Sequence, residues 1–271
     1  MKIKTNPYLA DLEKRSISII RESKAQFKNL AVLWSTGKDS TLTLWLCRKA
    51  FYGKIPIPTI HIDTGYKFPE IYEFRDKIAE EWNLTLIIAQ NKQALQNGMV
   101  PRKGRLECCT QLKTEPLKKL IEKEQFDALL VSIRRDEHGI RAKERTFSPR
   151  DEDFTWDYKN QPAEMWDIYV KPAEDYSHMR VHPILHWTEL DAWQYVKEEN
   201  LPTNPLYFAK DGKRYRSLGC QPCTAPISSN AQTIDQIIQE LKTTEISERA
   251  GRAQDKEKAY MMQKLRSLGY M

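Results

Sequence analysis

Short apolar runs alternate with amphipathic stretches through the first half of the chain. Residues 8–28 place Leu9, Leu12, Ile17, Ile19, Ile20 and Phe27 on an amphipathic helix. Residues 30–34, Leu-Ala-Val-Leu-Trp, read as a short buried strand that runs into Ser35-Thr36-Gly37-Lys38-Asp39-Ser40. A helix carrying Leu42, Leu44, Trp45, Leu46 and Cys47 follows. The alternation then repeats, with strands predicted at 58–62, 84–88 and 128–132 and helices at about 69–82 and 110–124. Strands of this kind, separated by helices, build a parallel sheet covered on both faces, so the fold class is α/β and Rossmann-like. Ligands of such sheets bind at the carboxyl ends of the strands. After Ile133 the pattern breaks, and residues 134–180 are expected to form a loop region that carries function. Helical periodicity returns at 189–199 and from about 233 to 242.

Composition narrows the class. The chain has 271 residues, 40% of them hydrophobic and 30% charged, which suits a globular protein and argues against wholesale disorder. No apolar run approaches the ~20 residues that span a bilayer, and the opening Met1–Pro7 stretch lacks the apolar core of a secretory leader. A cytoplasmic protein without membrane association is expected. Lys and Arg number 43 against 37 Asp and Glu, a net +6 that suits an anionic ligand, nucleic acid or an ordinary solvated surface.

The segment Ser35–Ser40 lies between a predicted strand and a predicted helix, where free N–H groups and the positive end of the helix dipole favour an anion. Gly37 permits a close backbone approach, Ser35, Thr36 and Ser40 add hydroxyls, and Lys38 adds charge. Asp39 follows the lysine and no glycine lies five residues before Gly37, so this is not a Walker A loop. It resembles the pyrophosphatase-type S-G-G-K-D-S loop, with Thr36 in place of the first glycine. Enzymes with that loop cleave ATP between its α and β phosphates. The expected organisation is a nucleotide-binding core over 1–185 and a C-terminal extension over 186–271.

Four further segments narrow the resemblance: 61–68 with 72–76, 134–151, 214–220 and 243–252. From about residue 8 onward the chain resembles the small catalytic subunit of heterodimeric bacterial sulfate adenylyltransferase, a family related to the adenylyl-sulfate and phosphoadenylyl-sulfate reductases. The resemblance implies an adenine nucleotide alpha-hydrolase-like fold. It also implies the reaction of ATP, carried with Mg²⁺, and sulfate to give adenylyl sulfate and pyrophosphate. A separate large subunit with GTPase activity is the implied partner; homo-oligomers remain open. Sulfate has no proton to remove, so catalysis reduces to positioning and charge neutralisation. Lys38 is placed at the phosphates, and Arg134, Arg135, Arg141, Lys143 and Arg145 are the candidate oxyanion clamps. Asp63, at the end of the second strand, is either a ribose or Mg²⁺ contact or a helix cap, and Gly219 is assigned to nucleotide binding.

The chain departs from that family in two places. Residues 209–213 stand where the family usually carries a longer insert. Cys108-Cys109 and Cys220-x-x-Cys223 resemble the cysteine pairs of adenylyl-sulfate reductases, which implies a [4Fe–4S] cluster, with Zn²⁺ as the weaker fit. A reductase of adenylyl sulfate or its 3′-phosphorylated form is the rival reading. It requires a nucleophilic cysteine, and no cysteine follows Cys223. A nucleic-acid sulfur-modification enzyme is the third reading, without a recognisable RNA-binding domain to support it.

Overall fold

The structure, a computed structural model, describes residues 6–161, 163, 164, 169 and 176–253. Helix α1, Pro7–Gln26, starts at Asn6, whose side chain accepts the Tyr8 N–H, and Pro7 occupies the position where a missing N–H costs nothing. Its inward face is Leu9, Leu12, Ser16, Ile19, Ile20 and Ser23, recurring at three- and four-residue spacing.

Five parallel strands and one antiparallel edge strand form the sheet. They are β1 (Leu30–Leu33), β2 (Thr59–Ile62), β3 (Leu86–Ala89), β4 (Ala128–Leu130), β5 (Phe147–Arg150) and β6 (His178–Val181), in the order β3-β2-β1-β4-β6-β5. β5 runs antiparallel to β6. Alternate residues face opposite sides. Leu30 and Val32 of β1 join one apolar cluster, with α1 and α2 (Lys38–Ala50), while Ala31 and Leu33 join the other, with Leu117, Leu120 and Ile121. Helix α3 is Pro69–Glu81, and the short helix α4 is Lys92–Gln96.

Strands β5 and β6 lie inside the region expected to be loop. β6 reads His-Met-Arg-Val, and its His178 and Arg180 are fully buried, which hides the strand from any apolar pattern. The helix expected from residue 110 instead begins with α5, Arg105–Cys109, and continues through a wide turn, Thr110–Thr114, into α6, Glu115–Glu124. Pro116 explains the turn. It lacks the N–H that would bond four residues back, and the Glu115 N–H bonds instead to the Thr110 carbonyl five residues back.

The C-terminal part packs onto this frame. α7 (Glu189–Glu198) and α8 (Ile234–Thr243) each open with a capping box, Thr188 with Asp191 and Thr233 with Gln236. Trp193, Val196, Ile237 and Ile238 enter the same buried cluster as Leu9 and Leu46. No helix among the described residues is long and apolar enough to cross a membrane.

Ser16 ties α1 to the turn that follows β6. Its hydroxyl donates to the Pro183 carbonyl (2.8 Å) and accepts from the Trp187 indole N–H (2.9 Å). Ser16→Ala leaves two buried groups unpartnered, so a loss of ~1–3 kcal/mol is expected in urea denaturation. Ser18→Ala, on the exposed face, is expected to change nothing.

Candidate active site

The strand order reverses beside β1: the chain crosses to β2 on one side, and β4 lies on the other. At that switch point, at the carboxyl ends of the strands, an open cavity is lined by Ser35, Gly37, Lys38, Asp39 and Ser40 from the β1–α2 loop. Ser40 Oγ accepts the Ser35 N–H at 3.2 Å and closes the loop. Gly37 is extended (φ −76°) and needs no left-handed backbone. Its missing side chain instead makes room for the Tyr207 hydroxyl, which would lie 3.3 Å from a Cβ there and accepts the Lys38 N–H at 3.0 Å. The left-handed residue is Thr36, at φ 65°. A β-branched residue is strained in that region, and the Thr36 hydroxyl turns back to donate to the Ser35 carbonyl at 2.6 Å.

Behind the loop lies a buried charge cluster. Lys38 Nζ contacts Asp39 (3.0 Å) and Glu248, while the Arg134 guanidinium contacts Asp39, Asp136 (3.1 Å to Nε) and Glu248. Burial works against the Lys38 ammonium, but Asp39 and Glu248 outweigh it and hold its pKa above the usual lysine range. Arg134 is likewise held charged against burial by Asp39, Glu248 and Asp136. Two cations thus face three carboxylates. Burial pushes the Glu248 carboxyl up to about 7; Arg134 and Lys38 oppose the rise and Glu189 and Asp39 add to it. A second group joins Glu137 to Arg141 and to Arg249 (3.2 Å). Burial opposes the Glu137 carboxylate, yet Arg141 and Arg249 hold its pKa far below the usual carboxylate range.

Lys67, Lys113 and Arg252 line another part of the cavity. Arg252 donates to the Leu218 carbonyl, and its guanidinium covers Gly219 so closely that a Cβ there would lie 2.4 Å from Nη1. Burial lowers the Lys67 ammonium to about 8, with Lys113 and Arg252 adding to the shift and Cys220 opposing it.

The six expected catalytic cations do not all meet here. Lys38 and Arg141 line the cavity, and Arg134 stands behind Lys38. Arg135, Lys143 and Arg145 do not line it. Arg135 Nη1 donates to His186 Nδ1 (2.7 Å), Lys143 lies over the Tyr158 ring, and the Arg145 carbonyl accepts from His182 Nδ1 (2.7 Å). Asp63 is taken up by its own turn: it accepts the Gly65 N–H, the Tyr72 hydroxyl and the Gln90 amide, each at 2.8 Å. Gly219 lies on the wall. The sequence reading did not single out Lys67, Lys113, Tyr207, Glu248, Arg249 and Arg252. Lys67 lies in the 61–68 segment and Glu248, Arg249 and Arg252 in the 243–252 segment that carry the resemblance, but neither segment gave these side chains a role; Lys113 lies one helical turn beyond Cys109.

Cys108, Cys109, Cys220 and Cys223 line one smaller cavity, with Lys113 in the wall between it and the larger one. The Cys220 thiol lies 3.2 Å from the Thr64 hydroxyl. Burial opposes the Cys220 thiolate, but Lys113, Lys67 and that hydrogen bond bring its pKa down to about 7. The expected metal centre is not formed as such: among the described residues no group of three or more His, Cys, Asp or Glu is arranged to hold a metal ion.

Two substitutions test this account. Arg134→Met leaves three carboxylates around one lysine and is expected to cost ~3–5 kcal/mol. Arg134 opposes the rise of the buried Glu248 carboxyl, so without the guanidinium that carboxyl rises further and the loss in thermal stability should be larger at about pH 8 than at about pH 5.5. Thr36→Gly relieves the left-handed strain and is expected to raise stability by ~1 kcal/mol in chemical denaturation.

Residues 29–226 match the phosphoadenosine phosphosulfate reductase domain family. The "Sulfate adenylyltransferase subunit 2" of Psychromonas ingrahamii is 41% identical over 100% of both chains, and that of Geotalea daltonii is 42% identical over 98% of this chain and 99% of its own. The first alignment runs over 301 positions against 271 residues here, so part of that relative has no counterpart in this chain. Among solved structures, the Candida auris phosphoadenylyl-sulfate reductase in its phosphate complex has a TM-score of 0.57 at 18% identity, over 83% of this chain and 100% of its own. The Candida glabrata FMN adenylyltransferase with FAD and pyrophosphate has a TM-score of 0.61 at 16% identity, over 83% and 68%. These two likenesses concern the fold alone. By sequence, the chain belongs to the phosphoadenosine phosphosulfate reductase domain family and, within it, to the sulfate adenylyltransferase subunit 2 proteins.

Proposed function

We propose that this chain transfers the adenylyl group of ATP to sulfate, releasing pyrophosphate. The observation that carries the reading is one cavity lined by the Ser35–Ser40 loop with Lys38, backed by Arg134, and also by a separate cation group, Lys67, Lys113 and Arg252. The loop and Lys38 take the β and γ phosphates, sulfate binds at the separate cation group, and the α phosphorus lies between. One sulfate oxygen attacks that phosphorus in line as the bond to the β-phosphate oxygen breaks. No proton moves, so Lys38, Arg134 and Arg141 act by neutralising charge that shifts onto the leaving pyrophosphate. Mg²⁺ enters with the nucleotide.

The relatives' name, subunit 2, supports a heterodimer, and a GTP-hydrolysing large subunit would drive the uphill direction. The four thiols that share a cavity would be the donors to a [4Fe–4S] cluster, although as placed they form no metal-holding group. When bound, such a group would add charge beside Lys113; no step of the transfer runs through it. Equal amounts of iron and acid-labile sulfide are expected in anaerobically purified protein, and their absence would remove the cluster from the account.

Reductase chemistry needs a thiol at the sulfur atom. Among the described residues no cysteine lines the nucleotide cavity. Adenylyl sulfate supplied with pyrophosphate is expected to yield ATP, in the downhill direction and without GTP. Lys38→Ala should cut that rate by ~10²-fold or more while the protein stays folded by circular dichroism. Sulfite and AMP formed with a thiol reductant would overturn the assignment.

A further inference from the structure

Glu248 meets the two cations that the nucleotide requires. One carboxylate oxygen contacts Lys38 Nζ and the other contacts Arg134 Nη2, and the side chain is buried in the cavity wall. Each nitrogen of the Arg134 guanidinium already meets a carboxylate. Its Nη1 meets Asp39, its Nε meets Asp136, its Nη2 meets Glu248, and it is fully buried. Glu248 bridges Lys38 and Arg134, so a phosphate oxygen that pairs with both cations competes with that carboxylate.

The three carboxylates are not equally replaceable. Asp39 stands in the first turn of α2, where the helix dipole favours an anion. Asp136 also accepts the Glu189 N–H at 2.7 Å at the start of α7. Glu248 contacts the two cations and belongs to no helix or strand. Its neighbours keep the segment in place, Arg249 through Glu137 and Arg252 through the Leu218 carbonyl, so its side chain can swing away while the backbone stays.

We infer that Glu248 is a positioning residue that competes with the triphosphate for Lys38 and Arg134, so that ATP binds by exchanging a phosphate for this carboxylate. This rests on the proposed placement of the triphosphate at the Ser35–Ser40 loop. The exchange keeps both cations aimed at the loop, and it makes binding sensitive to the charge on Glu248. The groups around that carboxylate are Lys38 and Asp39 from α2, Arg134, Asp136 and Glu137 from the segment after β4, and Glu189 from α7. Its carboxyl, pushed up by burial to about 7, is mostly protonated at pH 6 and mostly charged at pH 8. Only the charged form competes.

The test measures ATP affinity of the full chain by calorimetry at pH 6 and pH 8, for the wild type, Glu248→Gln and the exposed-site control Glu245→Gln. Comparing variants at one pH cancels the titration of ATP itself. Glu248→Gln is expected to bind ATP ~10-fold tighter than wild type at pH 8 and about equally at pH 6, as follows when the competent fraction of the wild type is its protonated fraction. Glu245→Gln should match wild type at both. A structural role for Glu248 predicts the opposite: equal or weaker binding by Glu248→Gln at pH 8 would overturn the inference. Folded wild-type protein that binds no ATP at either pH would overturn the placement of the triphosphate, and this inference with it.

Discussion

The burial of Lys38 and Arg134 beside the switch point of the sheet is the constraint around which the rest is arranged. Two charges removed from water are tenable only with partners. The fold supplies three carboxylates, from α2 (Asp39), from the segment after β4 (Asp136) and from the turn after α8 (Glu248). Residues from α7 onward are therefore part of the site as well as of the core. Breaking such a pair costs several kcal/mol, whereas an exposed pair such as Lys197–Asp235 contributes ~0–1 kcal/mol. Removing Glu248 from Lys38 and Arg134 is correspondingly costly, and a phosphate that brings more negative charge to the same atoms offsets the cost.

The wide turn at Thr110–Thr114 shows how a local irregularity serves the site. Pro116 forces the extra residue into the helix, and Lys113 lies within that turn. This lysine lines both the nucleotide cavity and the thiol cavity. Charge in one is therefore felt in the other: Lys113 lowers the Cys220 thiol, and with burial it lowers the Lys67 ammonium.

The alternation of short apolar strands with helices made β1 to β4 and their helices legible: β1 and β4 are aliphatic and buried on both faces, and β2 and β3 still carry enough Ile and Leu to show as apolar runs. β6 was not legible, because His178 and Arg180 hold positions where a pattern reading expects aliphatics. The phosphate loop was readable from its residues, but its backbone was not: the left-handed position falls on Thr36, and Gly37 serves the approach of Tyr207. Within residues 134–145, charge alone did not separate Arg134 and Arg141, which reach the site, from Arg135, Lys143 and Arg145, which do not line it. Glu248 lies more than a hundred residues from Lys38 and Arg134, and Arg252 lies 34 residues from the Leu218 carbonyl it meets, so only the folded chain brings them in.

Oxygen tracing tests the central claim, that a charge-neutralising cavity lets sulfate attack the α phosphorus directly. ATP and sulfate labelled with ¹⁸O at all four oxygens would be reacted with an inorganic pyrophosphatase present to draw the reaction forward, and the adenylyl sulfate analysed by mass spectrometry. The account predicts that all four labelled oxygens appear in adenylyl sulfate, one of them bridging sulfur and phosphorus, with none in the released phosphate. Label in the released phosphate, or a bridging oxygen that comes from ATP, would contradict it.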